Sequence, residues 1–245
     1  MTAADYKAGS IEEQLRGLHG EAEKAIEETM KSNPAAFGRL MRLDLDIQVF
    51  EQMISGRPES AQLAQARKEF GYATYAASCG LYRLAFGSIR LFLELGFASV
   101  FFSANEYLRR KWLSDRHDFS WSKALDENEG VLSKSFVREF RDDVIDFAPH
   151  HATSAAECYR HCSQFIHGKA SETSKLPEVI GYSKDVLENW IATAEKSAKA
   201  VLFLLYCRYS TELLEDDDGG KLHDAIAHSF GHIASVRTAL GLPVS

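Results

Sequence analysis

The chain has 245 residues, 45% hydrophobic and 26% charged, with a net charge of −7 and a pI near 5.7. That composition belongs to a folded globular chain and argues against disorder. Its acidity argues against a protein that coats nucleic acid through a lysine- and arginine-rich surface, while leaving room for a small local phosphate site.

Only five prolines and sixteen glycines punctuate the sequence, and apolar residues recur at three- and four-residue spacing, so helices are predicted throughout. A first helix is predicted from Ser10, with Glu13 in capping-box position and a stripe of Leu15, Leu18, Ala22, Ala25 and Ile26, ending at Asn33-Pro34. Leu40, Leu43, Ile47, Phe50 and Ile54 make a second stripe, closed by Gly56-Arg57-Pro58. A third helical region runs from Glu59 to Trp112, with a break expected at Gly71 or Gly80. Within it, Leu84 to Phe102 is apolar for about five turns. Arg90 and Glu94 stand near its middle, and each would cost roughly 2.5–3.5 kcal/mol at a bilayer centre. The segment therefore reads as a helix buried in protein, and no membrane span is assigned.

A polar connector at Ser114–Asp118, a short helix at Trp121 and a helix from Ser133 to Asp146 follow, with Pro149 as its stop and His150-His151 as loop. Helices at Thr153–Gly168, Val186–Leu214 and Leu222–Leu240 complete the chain. The run Glu215–Gly220 between the last two reads as a solvated turn, since the alternating ligands of a calcium loop are missing. The expected fold is all-α: an antiparallel helical bundle at 71–245 with an N-terminal helical extension at 1–70, or both as one domain. Cys79, Cys158, Cys162 and Cys207 all fall in helical segments and are expected as free, buried thiols of a reducing compartment. Met1–Ser10 lacks the apolar run of a signal peptide, so a cytoplasmic protein is expected.

The most informative segment is Cys158-Tyr159-Arg160-His161-Cys162-Ser163-Gln164-Phe165-Ile166-His167-Gly168. On a helix, Arg160 and His167 stand two turns apart on nearly the same face, with His161 one step round. A guanidinium offers a planar fork to phosphate, and an imidazole exchanges a proton near neutral pH. Together they suit chemistry at a phosphodiester without a metal. Arg83, Arg90 and Glu94 share one face of an otherwise apolar helix. Either Arg90 pairs with Glu94, or the face borders a polar cleft where Arg83 or Arg90 binds phosphate.

The segment resembles the signature of the HEPN superfamily, an arginine and a polar residue followed by a histidine. Here six residues stand between Arg160 and His167. The Tyr-Arg-x-x-Ser-x-x-x-His-Gly form is similar to HEPN-like proteins of bacterial conflict and phage-defence systems. The resemblance implies a HEPN-like helical fold, a homodimer, and metal-independent RNA endonuclease activity as a toxin or defence effector. It would place catalysis on Arg160 and His167, with His161 at the variable polar position, RNA as substrate, an antitoxin or defence-system component as partner, and no cofactor. The alternative is a non-catalytic helical interaction module binding a nucleotide, RNA or a partner protein; a structural partner in a multi-protein operon is a third reading.

Other clusters point to plainer roles. Cys158, His161, Cys162 and His167 lack the second ligand pair a zinc site needs. His228 and His232, with His223 before them, have zinc-like spacing, but Ser229 stands where the metalloprotease motif has glutamate. No metal is assigned. Arg109, Arg110, Lys111 and Arg116 form a basic cluster that a helix C-terminus explains and that RNA backbone contact would also suit. Trp112 and Trp121 are expected to pin the connector to the core.

Overall fold

The computed structural model describes residues 8–217 and 219–243, and side chains from residue 10 onward. It is an all-α bundle, with no strand among the described residues. The helices are α1 (Ala8–Ser32), α2 (Pro34–Met53), α3 (Ser60–Ser78), α4 (Tyr82–Ala104), α5 (Glu106–Leu113), α6 (Trp121–Ala124), α7 (Lys134–Arg141), α8 (Ala148–Ile166), α9 (Ala170–Thr173), α10 (Lys184–Leu213), α11 (Lys221–Phe230) and α12 (Ala234–Ala239).

Two helices organise the core. Helix α10 is about 45 Å long by helical rise and nearly encircled: Trp190, Ala194, Ala198, Val201, Leu205 and Tyr209 are all fully buried. Helix α4 lies against it so closely that a side chain on Gly96 would come within 2.9 Å of Val201. It also packs on α3 and, antiparallel, on α8. By length and composition alone α4 would suffice to cross a membrane; in this fold much of its apolar surface packs on α3, α8 and α10.

The breaks differ from the sequence reading where local chemistry had two outcomes. Helix α1 already includes Ala8, so Ser10 lies inside the helix and is not its cap. The long third region divides at Gly80, not Gly71. Gly80 takes φ +74° and its α-carbon lies so close to Gly181 that a Cβ would come within 2.5 Å of the Gly181 carbonyl; only glycine fits that contact. Pro149 does not end a helix but stands in the first turn of α8, where a missing N–H costs nothing. His150 and His151 are consequently helical, and the His151 ring stacks on Phe203 at 4.0 Å. The last segment breaks at Gly231, where a Cβ would strike the Ala227 carbonyl.

The boundary expected near residue 70 falls inside α3, and Leu40, Ile47 and Phe50 of α2 belong to the same core as α4 and α10. Among the described residues, the N-terminal half of α1 stands out exposed, from Ile11 to His19. All four cysteines are buried and unbridged.

Candidate functional site

Helix α8 carries the Arg160–His167 segment between α4 and α10. Its inner face is set by Cys158, Cys162 and Phe165, all buried. The Phe165 ring stacks on Phe86 of α4 at 3.9 Å and 3°, which fixes the rotation of α8 about its axis.

One flank is tied to α4 by a polar network. The Tyr159 hydroxyl donates to Glu94 (2.7 Å) and accepts from Arg90 Nη2 (2.5 Å). Arg90 Nε donates to the Ser163 hydroxyl (3.1 Å), and Arg90 pairs with Glu94 (3.0 Å). Trp121 of α6 stacks on the Tyr159 ring at 4.3 Å, so it pins the connector as expected. Burial, with the Glu94 carboxylate beside it, pushes the Tyr159 hydroxyl pKa up. Arg90 thus forms the ion pair with Glu94, the first of the two alternatives, and its Nε and Nη2 are further engaged by Ser163 and Tyr159.

The opposite flank faces α10. There His161 Nε2 meets Asn189 Oδ1 at 2.7 Å, and the imidazole edge packs on Phe86 and Phe165. His161 is therefore turned about 100° away from Arg160, the step between successive helical residues.

Arg160 and His167 occupy the outward face, and both are exposed. Of the fifteen arginines in the chain, Arg160 is the only one whose side chain makes no hydrogen bond, ion pair or ring contact among the described residues. Even the sequence-predicted basic cluster is satisfied locally: Arg109 and Arg110 both bind Glu106, and Arg116 binds Ser114. Those two guanidiniums hold the Glu106 carboxyl down to about 2. His167 closes α8, and its side chain is likewise unpartnered.

The helix end that carries His167 is built with care. Gly168 takes φ +64°, its N–H donates to the Phe165 carbonyl (3.2 Å), and the Lys169 N–H donates to Gln164 (3.0 Å). This is a Schellman closure, which requires a left-handed residue just past the last helical turn. Arg83 Nη2 donates to the Ile166 carbonyl (3.1 Å), placing its exposed guanidinium beside His167. The structure thus groups Arg83 with His167, and holds Arg90 and His161 in the walls.

Two of the remaining histidines are engaged elsewhere. His228 Nδ1 meets the buried Asp46 carboxylate at 2.6 Å, and His223 Nε2 meets the Leu240 carbonyl at 2.9 Å. No cluster of three or more metal-ligating side chains occurs among the described residues. In the acidic run, Asp217 accepts from the His223 N–H at the start of α11, and Asp218 lies outside the described residues.

Fold and site together define an all-α bundle that displays a free arginine and a free histidine on one outward helical face. No family model, no characterised protein and no solved structure matches this chain.

Proposed function

We propose that the chain is a HEPN-like, metal-independent RNA endonuclease of the toxin or defence-effector kind, working as a homodimer in the cytoplasm, with an antitoxin or defence-system component as partner. One observation carries this reading: the single arginine left unpartnered among the described residues lies on the same helical face as an unpartnered histidine. A charged guanidinium left without an internal partner, where fourteen others have one, is available to a ligand. An imidazole two turns on supplies the proton transfer.

In the proposed reaction His167 takes the proton from a ribose 2′-hydroxyl, and the 2′-oxygen attacks the adjacent phosphorus. The 5′-oxygen leaves and takes up a proton, so the products are a 2′,3′-cyclic phosphate and a 5′-hydroxyl. Arg160 neutralises the phosphoryl oxygens as charge builds on them, and Arg83 holds a neighbouring phosphate. His161 positions α8 through Asn189. Arg160 and His167 stand about 10.5 Å apart along the axis, so two copies meeting at this face bring one copy's His167 toward the other's Arg160.

The test is cleavage of single-stranded RNA in chelator. Cyclic-phosphate ends are expected, together with resistance of a substrate carrying 2′-deoxyribose at the scissile position. Equal cleavage of that deoxy substrate, or a requirement for added divalent metal, contradicts the mechanism. The openness of the face favours a second reading, a non-catalytic module that binds RNA, a nucleotide or a partner protein. Under it, RNA binds with Arg160 dependence and is recovered uncut.

A further inference from the structure

Helix α1 is docked along only half its length. Ala25 and Thr29 are buried, and the Thr29 hydroxyl donates to the Ser78 carbonyl (3.4 Å). Every residue from Ile11 to His19 is exposed. Ile11, Leu15 and Leu18 fall at i, i+4 and i+7, on the same face as Ala25 and Thr29, so the stripe that docks in the second half continues uncovered in the first. Leu15 is 62% exposed.

A second apolar surface is equally uncovered. Helices α3 and α4 are joined by a tight hairpin, and between them runs an open groove of about 610 Å³ lined by Tyr72, Tyr75, Leu84, Leu91 and Ile166. Tyr75 is 64% exposed and Leu84 62%. A side chain built on Gly87, which also lines the groove, would meet nothing within 4 Å. Contiguous exposed apolar patches of this kind mark interaction sites, whereas scattered ones do not.

The two surfaces match. Ile11 to Leu18 and Leu84 to Leu91 each span seven helical steps, about 10.5 Å. On the arm Arg16 pairs with Glu12 and Lys24 with Glu21, which leaves Glu13 and Glu23 as its unpaired carboxylates among the described residues. The groove is bordered by Arg83 and, one turn from Tyr72, by Lys68, which makes no ion pair among the described residues. Glu69 is the one carboxylate in the groove lining. An amphipathic helix laid in an apolar groove, anchored at i, i+4 and i+7, is a recurrent recognition mode.

We propose that the α1 arm of one copy docks in the α3–α4 groove of a second copy, and reciprocally, forming a two-fold dimer. The exchange makes the contact twice, so each arm needs to supply only half of the roughly 1,600 Å² typical of a stable interface. The groove ends at Ile166 and Arg83, beside His167, so the docked copy stands next to the outward face of α8. This deepens the dimer of the proposed function without resting on catalysis.

Sedimentation equilibrium on the full chain tests it. The parent is expected to be a dimer at micromolar concentration. An arm variant (Leu15→Glu with Leu18→Glu) and a groove variant (Gly87→Leu) should each raise the dimer Kd at least 30-fold with an unchanged helical spectrum. Gly87→Leu also replaces a helix-interior glycine with a better helix former, so loss of folding does not confound it. Mixing the two variants restores one intact arm–groove pair and should recover a heterodimer. A monomeric parent overturns the proposal. So does a dimer whose Kd neither variant changes, although that result leaves a composite RNA-cleaving site standing. Loss of cleavage with the dimer intact bears on the catalytic reading alone.

Discussion

The inner and outer faces of α8 are built from the same kinds of residue and put them to opposite uses. On the flanks toward α4 and α10, three polar side chains find partners: Tyr159 with Glu94 and Arg90, Ser163 with Arg90, His161 with Asn189. On the outer face, Arg160 and His167 find none. A helix that satisfies a tyrosine, a serine and a histidine but leaves an arginine and a histidine open is held on one side and available to a ligand on the other. The difference separates residues expected to set stability from those proposed to set activity, and substitution can break or sharpen it.

The largest effect on stability is expected from Phe165→Ala, which removes the ring stacked on Phe86. Truncating a buried phenylalanine costs about 3–5 kcal/mol, readable as a fall in the urea midpoint. His151 comes next. Burial, with His150, His232 and Lys199 adding like charge, holds its imidazole down to about 4, against 6.5 unfolded. The unfolded chain therefore takes up the proton first, and stability is lost as pH falls from about 6.5 toward 4, by up to roughly 3 kcal/mol. His151→Phe keeps the stack on Phe203 and should flatten that part of the stability–pH curve; an unaltered curve would show that the acid sensitivity lies elsewhere.

Glu94→Ala leaves Arg90 and the Tyr159 hydroxyl without their acceptor and should cost about 1.5–3 kcal/mol, the range for hydrogen bonds to charged groups. Gly168→Ala forces a Cβ into the left-handed region and should cost about 1–2 kcal/mol, with RNA cleavage lowered as His167 shifts. Arg160→Ala and His167→Ala come last, each within about 0.5 kcal/mol of the parent, as for surface positions without partners. Thermal melts of the five alanine variants in one buffer would rank them.

The helices were legible because apolar spacing of three and four residues survives any tertiary arrangement. Which glycine breaks the third region was not, since Gly71 and Gly80 look alike until Gly181 is seen against one of them. Pro149 could end one helix or begin the next, and only the preceding 3-10 turn at 142–147 decides for the start. The shared face of Arg160 and His167 follows from their spacing. The Arg90–Glu94–Tyr159–Ser163 network joins residues 65 to 73 positions apart, which no local pattern encodes. His161 looked equivalent to its neighbours in sequence, and Asn189 separates it from them.

The central claim is that the outer face of α8 is kept open for chemistry. Single-turnover cleavage of an RNA strand in chelator, by the parent, His167→Ala, Arg160→Ala and Arg160→Lys at equal folded concentration, tests it most directly. The account predicts that both alanine variants melt with the parent and cleave about 10²–10⁴ times more slowly, and that Arg160→Lys recovers little, because a point charge does not reproduce the guanidinium fork. Alanine variants that cleave at the parental rate would contradict it.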